Sequence, residues 1–238
     1  MSDSVHPLRK ILDEIEARRG ERPVVIFDLD GTLYDNRSRT VRILHAFAAS
    51  LEHAHAKDAA VIRALRPDSL AYRIEDTLAP RGVSSEVIER ARRAWLSRFF
   101  TDAACADDIP VQGAVGFARA CHTAGATVVY LTGRDIPGML VGTVRTLRDD
   151  GFPLGVPRVE LVFKPTFEEP DTEFKKRMLD AMDELGTVVA TFENEPGNCN
   201  LFHQRWPRAA AVLVTTQHAP GAPPLEAGCT RVPNFDLP

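Results

Sequence analysis

Cysteine is scarce in this chain, and the few cysteines are scattered. The 238 residues include four cysteines, at positions 105, 121, 199 and 229, and no Cys-x-x-Cys pair. This spacing argues against a disulfide framework and against a zinc site built on paired cysteines. We therefore expect reduced thiols, as in a cytoplasmic protein.

Long apolar runs are also missing. No stretch reaches the roughly 20 residues that span a bilayer, and residues 1–10 contain no apolar segment typical of a secretory signal. The formal net charge is only −4, which argues against a dedicated nucleic-acid-binding protein. We expect a cytoplasmic protein without membrane association, and the sequence leaves its oligomeric state open.

Short apolar segments alternate with helical patterns over most of the chain. Segments 24–29, 127–131, 159–163, 188–192 and 211–214 are typical of buried strands, and segments 7–19, 114–123, 139–149 and 173–185 of amphipathic helices. This alternation predicts an α/β fold whose parallel sheet is covered on both faces. Residues from 220 onward are rich in Pro and Gly and are expected to form an extended surface segment.

Residues 37–100 interrupt this alternation and show no strand pattern. Apolar residues recur at helical intervals, as at Val41, Leu44 and Phe47, so we expect an all-helical insertion of about four helices. The insertion holds twelve Lys and Arg against seven Asp and Glu, a net charge of +5. This charge suits an anionic ligand, although the same arginines equally serve to solvate exposed helix faces.

Two aspartates follow the first predicted strand at a spacing of two residues, Asp28 and Asp30, before Gly31. Buried carboxylates are costly unless they bind a cation or take part in chemistry. In open α/β sheets, ligands bind at the carboxyl ends of the strands. The pair therefore predicts a functional site at the end of this strand.

The segment Asp-Leu-Asp-Gly-Thr-Leu, residues 28–33, resembles the first motif of the haloacid dehalogenase-like (HAD) hydrolases. The resemblance implies a Rossmann-like three-layer core over residues 1–36 and 101–238, with a helical cap domain over residues 37–100. It implies that Asp28 is a nucleophile that forms an aspartyl-phosphate. It further implies that Asp30 is a general acid and base whose main-chain carbonyl binds metal. An aspartate at the second position favours phosphate esters over carbon–halogen bonds.

The second motif of the family is similar to Thr132-Gly133-Arg134, which follows the strand at 127–131. The resemblance implies that the Thr132 hydroxyl binds a phosphate oxygen. Gly133 lets the backbone approach phosphate closely because it has no side chain. Arg134 is a further candidate for phosphate binding, because its planar guanidinium suits that geometry.

The third motif is a lone lysine, and the candidates are Lys164, Lys175 and Lys176. Lys175 resembles the family pattern best, since it lies near a predicted helix start before the fourth strand. Lys164 precedes a proline, as in some family members, and is the second choice.

The fourth motif should be acidic and follow the fourth strand, where this chain has Glu193. The family more commonly has a pair of aspartates at this point. The resemblance implies a Mg²⁺ ion held by Asp28, Asp30 and Glu193, and Mg²⁺ demands near-octahedral geometry. Glu195 or Asn198 is expected to supply a second contact, and the sequence does not decide between them.

Together the motifs predict a Mg²⁺-dependent phosphatase that acts on a small phosphate monoester. A phosphomutase shares all four motifs and differs in its cap and in how it excludes water. A phosphatase acting on nucleic-acid 3′ ends resembles the Thr-Gly-Arg stretch, but the acidic net charge counts against it. A regulatory protein on an inactive scaffold would not need to keep the catalytic aspartates. The sequence does not identify the substrate.

Overall fold

The computed structural model describes residues 6–51 and 53–237. Six strands form a parallel sheet in the spatial order β5-β4-β1-β6-β7-β8. A separate antiparallel pair joins two short strands, β2 and β3. The strands are β1 (Pro23–Phe27), β2 (Tyr34–Asp35), β3 (Ile109–Pro110), β4 (Thr127–Asp135), β5 (Val159–Lys164), β6 (Thr187–Glu193), β7 (Ala210–Val214) and β8 (Thr230–Val232).

Helices cover both faces of the sheet, which confirms the α/β class and the three-layer arrangement. Helices α1, α6 and α7 pack on one face, and α8 and α9 pack on the other. Within the described residues, none of the helices is long and apolar enough to cross a membrane. The helices are α1 (Pro7–Ala17), α2 (Arg37–Ala49), α3 (Ala56–Arg63), α4 (Ile74–Leu78), α5 (Ser85–Phe99), α6 (Ala114–Ala124), α7 (Ile136–Asp150), α8 (Asp171–Leu185) and α9 (Pro196–Arg205).

Strand β1 is buried along its whole length because it lies at the centre of the sheet. Its alternating side chains belong to two different cores: Val25 and Phe27 face α1 and α6, whereas Val24 and Ile26 face α8 and α9. The continuous apolar run of β1 is thus the pattern expected of a strand covered on both sides.

Over residues 37–51 and 53–100, the insertion forms four α-helices, α2 to α5, as the periodicity predicts. They bury an apolar cluster of their own, separate from the cores against the sheet. The antiparallel β2–β3 pair joins the chain where it enters the insertion to the chain where it returns. The domain boundaries at residues 36 and 101 stay predictions.

The strand order places the site at a topological switch point. From β1 the chain crosses to β4 and β5 on one side, and later to β6 and β7 on the other. The carboxyl end of β1 therefore lies between the carboxyl ends of β4 and β6. Such a crevice is the usual ligand site of open α/β sheets.

The prediction of a surface segment from residue 220 was wrong for its last part. Residues Thr230–Val232 form β8, which pairs with β7 at the edge of the sheet. Phe235 is 1% exposed and packs against Phe27, Phe117 and Phe192, with ring centres 5.4–6.3 Å away. The tail is therefore part of the core, which its Pro- and Gly-rich composition does not reveal.

We predict that Phe235→Ala lowers the free energy of unfolding by about 3–5 kcal/mol, because it leaves a cavity among three buried rings. Urea denaturation monitored by circular dichroism measures this loss. Phe167→Ala is the control, since Phe167 is 49% exposed and its truncation should cost much less. A Phe235→Ala protein as stable as the unmodified chain would contradict the core position of the tail.

Candidate active site

Asp28 is the first residue after β1 and lies at the switch point. Its backbone N–H donates to the Phe192 carbonyl at 3.0 Å, which fixes it against β6. One carboxylate oxygen, Oδ1, accepts a hydrogen bond from the Lys175 ammonium at 2.8 Å. The other, Oδ2, accepts none from the residues that the structure describes, and Asp28 lines the cavity above the sheet. Asp28 thus has one oxygen held and one oxygen available.

Lys175 reaches this point from the second turn of α8 and is buried among three carboxylates. Its Nζ atom lies 2.8 Å from Asp28 Oδ1, 2.5 Å from Glu193 Oε1 and 3.3 Å from Asp171 Oδ2. Burial lowers the pKa of Lys175, but the three carboxylates raise it more strongly. The pKa of Lys175 therefore lies well above its usual value. Burial, together with Glu193 and Asp171, also raises the pKa of Asp28 despite the nearby ammonium. The pKa shift at Lys175 reflects the surrounding negative charge, whereas the pKa shift at Asp28 comes first from burial and then from the neighbouring carboxylates.

The other two candidate lysines lie elsewhere. Lys164 lines the cavity, but its Nζ donates to the carbonyls of Glu169 at 3.0 Å and Phe167 at 3.4 Å. Lys176 is exposed in α8. Of the three candidates, it is Lys175 whose side chain contacts Asp28.

Glu193 ends β6 and is held by four hydrogen bonds. Oε1 accepts from Lys175 and from the Asn198 side chain at 3.1 Å, and Oε2 accepts from the backbone N–H groups of Asn194 and Glu195 at 3.0 and 3.1 Å. Asn198 therefore orients Glu193. The carboxylate of Glu195 turns instead to the backbone N–H of Ala219.

Asp30 is held by two arginines. The Arg134 guanidinium donates to both oxygens of Asp30, each at 2.8 Å, and Arg39 Nη2 lies 3.3 Å from Oδ1. Although burial acts in the opposite direction, these two guanidinium groups lower the pKa of Asp30. The arrangement favours the ionised carboxylate, which suits a base and opposes proton donation.

The same arginines share a second carboxylate, Asp108. Arg134 Nη2 lies 2.8 Å from Asp108 Oδ2, and Arg39 Nε donates to Asp108 Oδ1 at 2.8 Å. Arg39 belongs to α2 of the insertion, Asp108 to the chain returning from it, and Arg134 to β4. We call these three residues and Asp30 the hinge tetrad. Its two positive and two negative charges join the insertion to the sheet.

An irregularity at the end of β4 decides where the second motif points. Thr132 pairs with Phe163, and Asp135 pairs with the next residue of β5, Lys164. Gly133 and Arg134 are therefore two extra residues in β4 at this point. Such bulges re-aim side chains. Gly133 lines the cavity, whereas Thr132 and Arg134 are buried. The Thr132 hydroxyl accepts the Arg134 backbone N–H at 3.2 Å. The placement of Arg134 beside Asp30 does not fit the prediction that it contacts phosphate.

A cavity of about 940 Å³ lies between the sheet edge and the insertion. Its volume falls within the range of small-molecule sites. The acidic side chains and Lys175 line it from the sheet, and the insertion supplies the opposite wall. The lining from the sheet and its loops includes Asp28, Asp30, Gly133, Lys164, Asp171, Lys175, Glu193 and Glu195.

The charges at the sheet edge fit a hard divalent cation. Three carboxylates surround one ammonium, and the Oδ1 atom of Asp171 is buried without a hydrogen-bond partner in the described part of the chain. No group of three or more His, Cys, Asp or Glu side chains in residues 6–51 and 53–237 is arranged to hold a metal. Mg²⁺ does not require one, because it is commonly bound by one or two carboxylates together with water and substrate phosphate.

Solved structures match this arrangement of elements, although no protein-family model and no curated protein matches the chain. A provisionally assigned HAD-like hydrolase from Burkholderia xenovorans LB400 is 18% identical, with a TM-score of 0.53, over 90% of this chain and 94% of that chain. A HAD-superfamily hydrolase of subfamily IA from Geobacter sulfurreducens PCA is 14% identical, with a TM-score of 0.52, over 91% and 94%.

A provisionally assigned phosphatase from Clostridium difficile is 12% identical, with a TM-score of 0.50, over 85% of this chain and 89% of that chain. This chain has the fold of the HAD-like hydrolases. At these identities the likeness concerns the fold, and the chemistry of the site has to be argued from its own residues.

Within this HAD-like fold, the sequence analysis missed three charged residues at the site. Asp171 contacts Lys175 from one turn earlier in α8, and the Asp-to-Lys spacing of four residues was the available signal. Arg39 and Asp108 belong to the hinge tetrad. They are 69 residues apart in the chain, and no local pattern marks them.

We predict that Lys175→Met destabilises the protein by about 3–5 kcal/mol, because it leaves buried carboxylates without their counter-charge. Equilibrium unfolding in urea at pH 7 measures the effect. Lys176→Met is the matched control, one residue away on the exposed side of α8, and should stay within about 0.5 kcal/mol of the unmodified protein. Equal stability of the two variants would disprove the central role of Lys175.

The hinge tetrad predicts energetic coupling between Arg134 and Asp108. Arg134→Met should be strongly destabilising, and Asp108→Asn in the same chain should recover part of the loss by removing an unpaired charge. We expect a coupling energy of about 1–3 kcal/mol from the double-mutant cycle. Arg148→Met combined with Asp108→Asn is the control cycle, since Arg148 is exposed at the end of α7. Additive effects in both cycles would contradict the tetrad.

Proposed function

We propose that this protein is a Mg²⁺-dependent phosphatase that hydrolyses a small phosphate monoester through an aspartyl-phosphate on Asp28. The position of Asp28 carries the proposal. One of its oxygens is held by Lys175 and the other is available at the bottom of a cavity, at the carboxyl end of the central strand. A carboxylate in that position is placed to attack phosphorus.

In the first step the free oxygen of Asp28 attacks phosphorus, a P–O bond to Asp28 forms, the ester P–O bond breaks, and the leaving oxygen takes a proton from protonated Asp30. Lys175 keeps the attacking carboxylate oriented and offsets the negative charge of the phosphoryl group. Gly133 lines the cavity and is the proposed backbone contact of the phosphoryl oxygens, and the Thr132 hydroxyl holds the turn at Gly133 by accepting the Arg134 backbone N–H.

In the second step water attacks the aspartyl-phosphate, and Asp30 accepts a proton from that water. The ion pairs with Arg134 and Arg39 keep Asp30 in the ionised form that this step needs. Asp30 can protonate the leaving oxygen in the first step only when it carries a proton, which requires loosening its bonds to Arg134. The proposed role of Arg134 is thus to position Asp30.

The Asp28 carboxylate, the Asp30 main-chain carbonyl and the Glu193 carboxylate are the proposed Mg²⁺ ligands. When bound, Mg²⁺ neutralises charge on the phosphate oxygens. The excess of carboxylates over ammonium groups at the sheet edge supports this proposal. Glu193 is held in place by Asn198 and two backbone N–H groups, so its orientation is set by the protein.

We expect the purified protein to release phosphate from p-nitrophenyl phosphate in the presence of Mg²⁺, and chelation with EDTA should stop the reaction. Asp28→Asn should lower kcat at least about 100-fold, because the amide is not a nucleophile. Asp149→Asn, a change at an exposed acid at the end of α7, is the control and should leave kcat unchanged. Full Mg²⁺-dependent turnover by Asp28→Asn would overturn the proposal. Measuring free phosphate also separates a phosphatase from a phosphomutase.

A further inference from the structure

The wall of the cavity opposite Asp28 is mostly apolar. It is built by α2, the segment before α4, and α5 of the insertion, and these elements leave far more room than a phosphate group needs. An apolar wall of this size is suited to bind the organic part of a ligand. Its apolar and aromatic residues include Leu44, Leu70, Ile74, Trp95, Leu96 and Phe99.

Three aromatic rings at the end of α5 form a continuous surface, which we call the aromatic wall: Trp95, Phe99 and Phe100. The ring centres of Trp95 and Phe99 are 4.4 Å apart, and those of Phe99 and Phe100 are 5.0 Å apart. The indole Nε1 of Trp95 donates to Thr40 Oγ1 at 3.1 Å. The polar edge of the indole is thereby satisfied, and the ring is fixed before any ligand binds.

The aromatic wall stands next to Asp30, where the leaving oxygen of a substrate would lie. The Arg39 guanidinium lies 4.4 Å from the centre of the Phe99 ring, and the same guanidinium is 3.3 Å from Asp30. One side chain thus separates Asp30 from the wall. Asp30 and all three rings line the same cavity, so an organic group on the leaving oxygen shares that cavity with the aromatic wall.

Most of the positive charge that the insertion brings to the cavity is already balanced. Three of its arginines, Arg37, Arg73 and Arg92, line the cavity. The Arg37 side chain donates three hydrogen bonds to Asp35, at 2.6–3.1 Å, and Arg92 lies 3.2 Å from Glu89 and 3.7 Å from Glu75. A second phosphate on the ligand would have to displace these carboxylates to reach two of the three arginines, and only Arg73 makes no salt bridge within the described residues. The lining therefore favours a ligand with one phosphate and an apolar remainder.

We propose, building on the phosphatase function proposed above, that the substrate is a phosphate monoester of an arylalkyl or aryl alcohol. Its phosphate faces Asp28 and Lys175, and its aromatic ring packs against the aromatic wall. Trp95 is then a specificity-determining residue, since its indole is the largest ring of the wall and is fixed by Thr40.

The kinetic test compares 2-phenylethyl phosphate with n-butyl phosphate, two esters of primary alcohols that differ by the ring. We expect kcat/KM to be about tenfold higher for the phenylethyl ester, as ring contacts of this kind give. Trp95→Leu should abolish this preference, and Trp95→Phe should keep most of it. Trp206→Phe is the matched control, because Trp206 packs on Phe202 and binds Asp183 away from the cavity.

A binding test gives a readout that does not need turnover. The chain has two tryptophans, so in Trp206→Phe the fluorescence comes from Trp95 alone. Titration with 2-phenylethylphosphonate in the presence of Mg²⁺ should change this emission and saturate at about tenfold lower concentration than n-butylphosphonate. The binding test leaves the aromatic wall unchanged. It therefore tests the proposal even where Trp95→Leu fails to fold.

The outcomes separate the two proposals. Turnover of both esters with equal kcat/KM, and equal binding of both phosphonates, overturns the aromatic specificity and leaves the phosphatase in place. Preferential binding of the phenylethylphosphonate without turnover of any ester overturns the phosphatase and leaves the ligand class in place. The absence of both turnover and binding overturns both proposals.

Discussion

The ammonium group of Lys175 stabilises two carboxylates that the sheet brings together and that would otherwise repel each other. Strands β1 and β6 are parallel neighbours, so Asp28 and Glu193 emerge at the same edge and face the same point. Two carboxylates that are buried next to each other repel each other and lose their hydration. Lys175 enters from α8 and lies against both. The packing of α8 on the sheet therefore also assembles the site, because it brings Lys175 against Asp28 and Glu193.

Asp28 and Asp30 are two residues apart and have opposite electrostatic surroundings. Around Asp28 the carboxylates outnumber the ammonium, and burial raises its pKa. Around Asp30 two guanidinium groups lower the pKa. Such environments separate the pKa values of two carboxyl groups. One site can thereby obtain an acid and a base, or a nucleophile and a base, from the same residue type. The backbone turn at Gly31 follows directly, and it lets the chain leave the sheet toward the insertion.

The predictions from sequence succeeded where the pattern was local and failed where the contact was distant. The central strand and the helices that flank it were located to within a few residues, because their apolar periodicity records which face is buried. Strand β8 was missed because its three residues are too few to show a periodicity. Its strand character comes from pairing with β7. Arg134 was a candidate for phosphate binding because its planar guanidinium suits that geometry. The bulge in β4, which turns it toward Asp30, depends on the register with β5.

The sequence by itself determined five strands of the parallel sheet and four of the helices around it, the position of the helical insertion, and the presence of two aspartates at the end of a buried strand. These follow from periodicity and from the cost of burying charge. Only the tertiary structure decided which lysine meets Asp28, that Arg39 and Arg134 pair with both Asp30 and Asp108, and that an aromatic wall faces the site. Each of these contacts joins residues from different elements, so it exists only after the strand order and the packing of the insertion have been fixed.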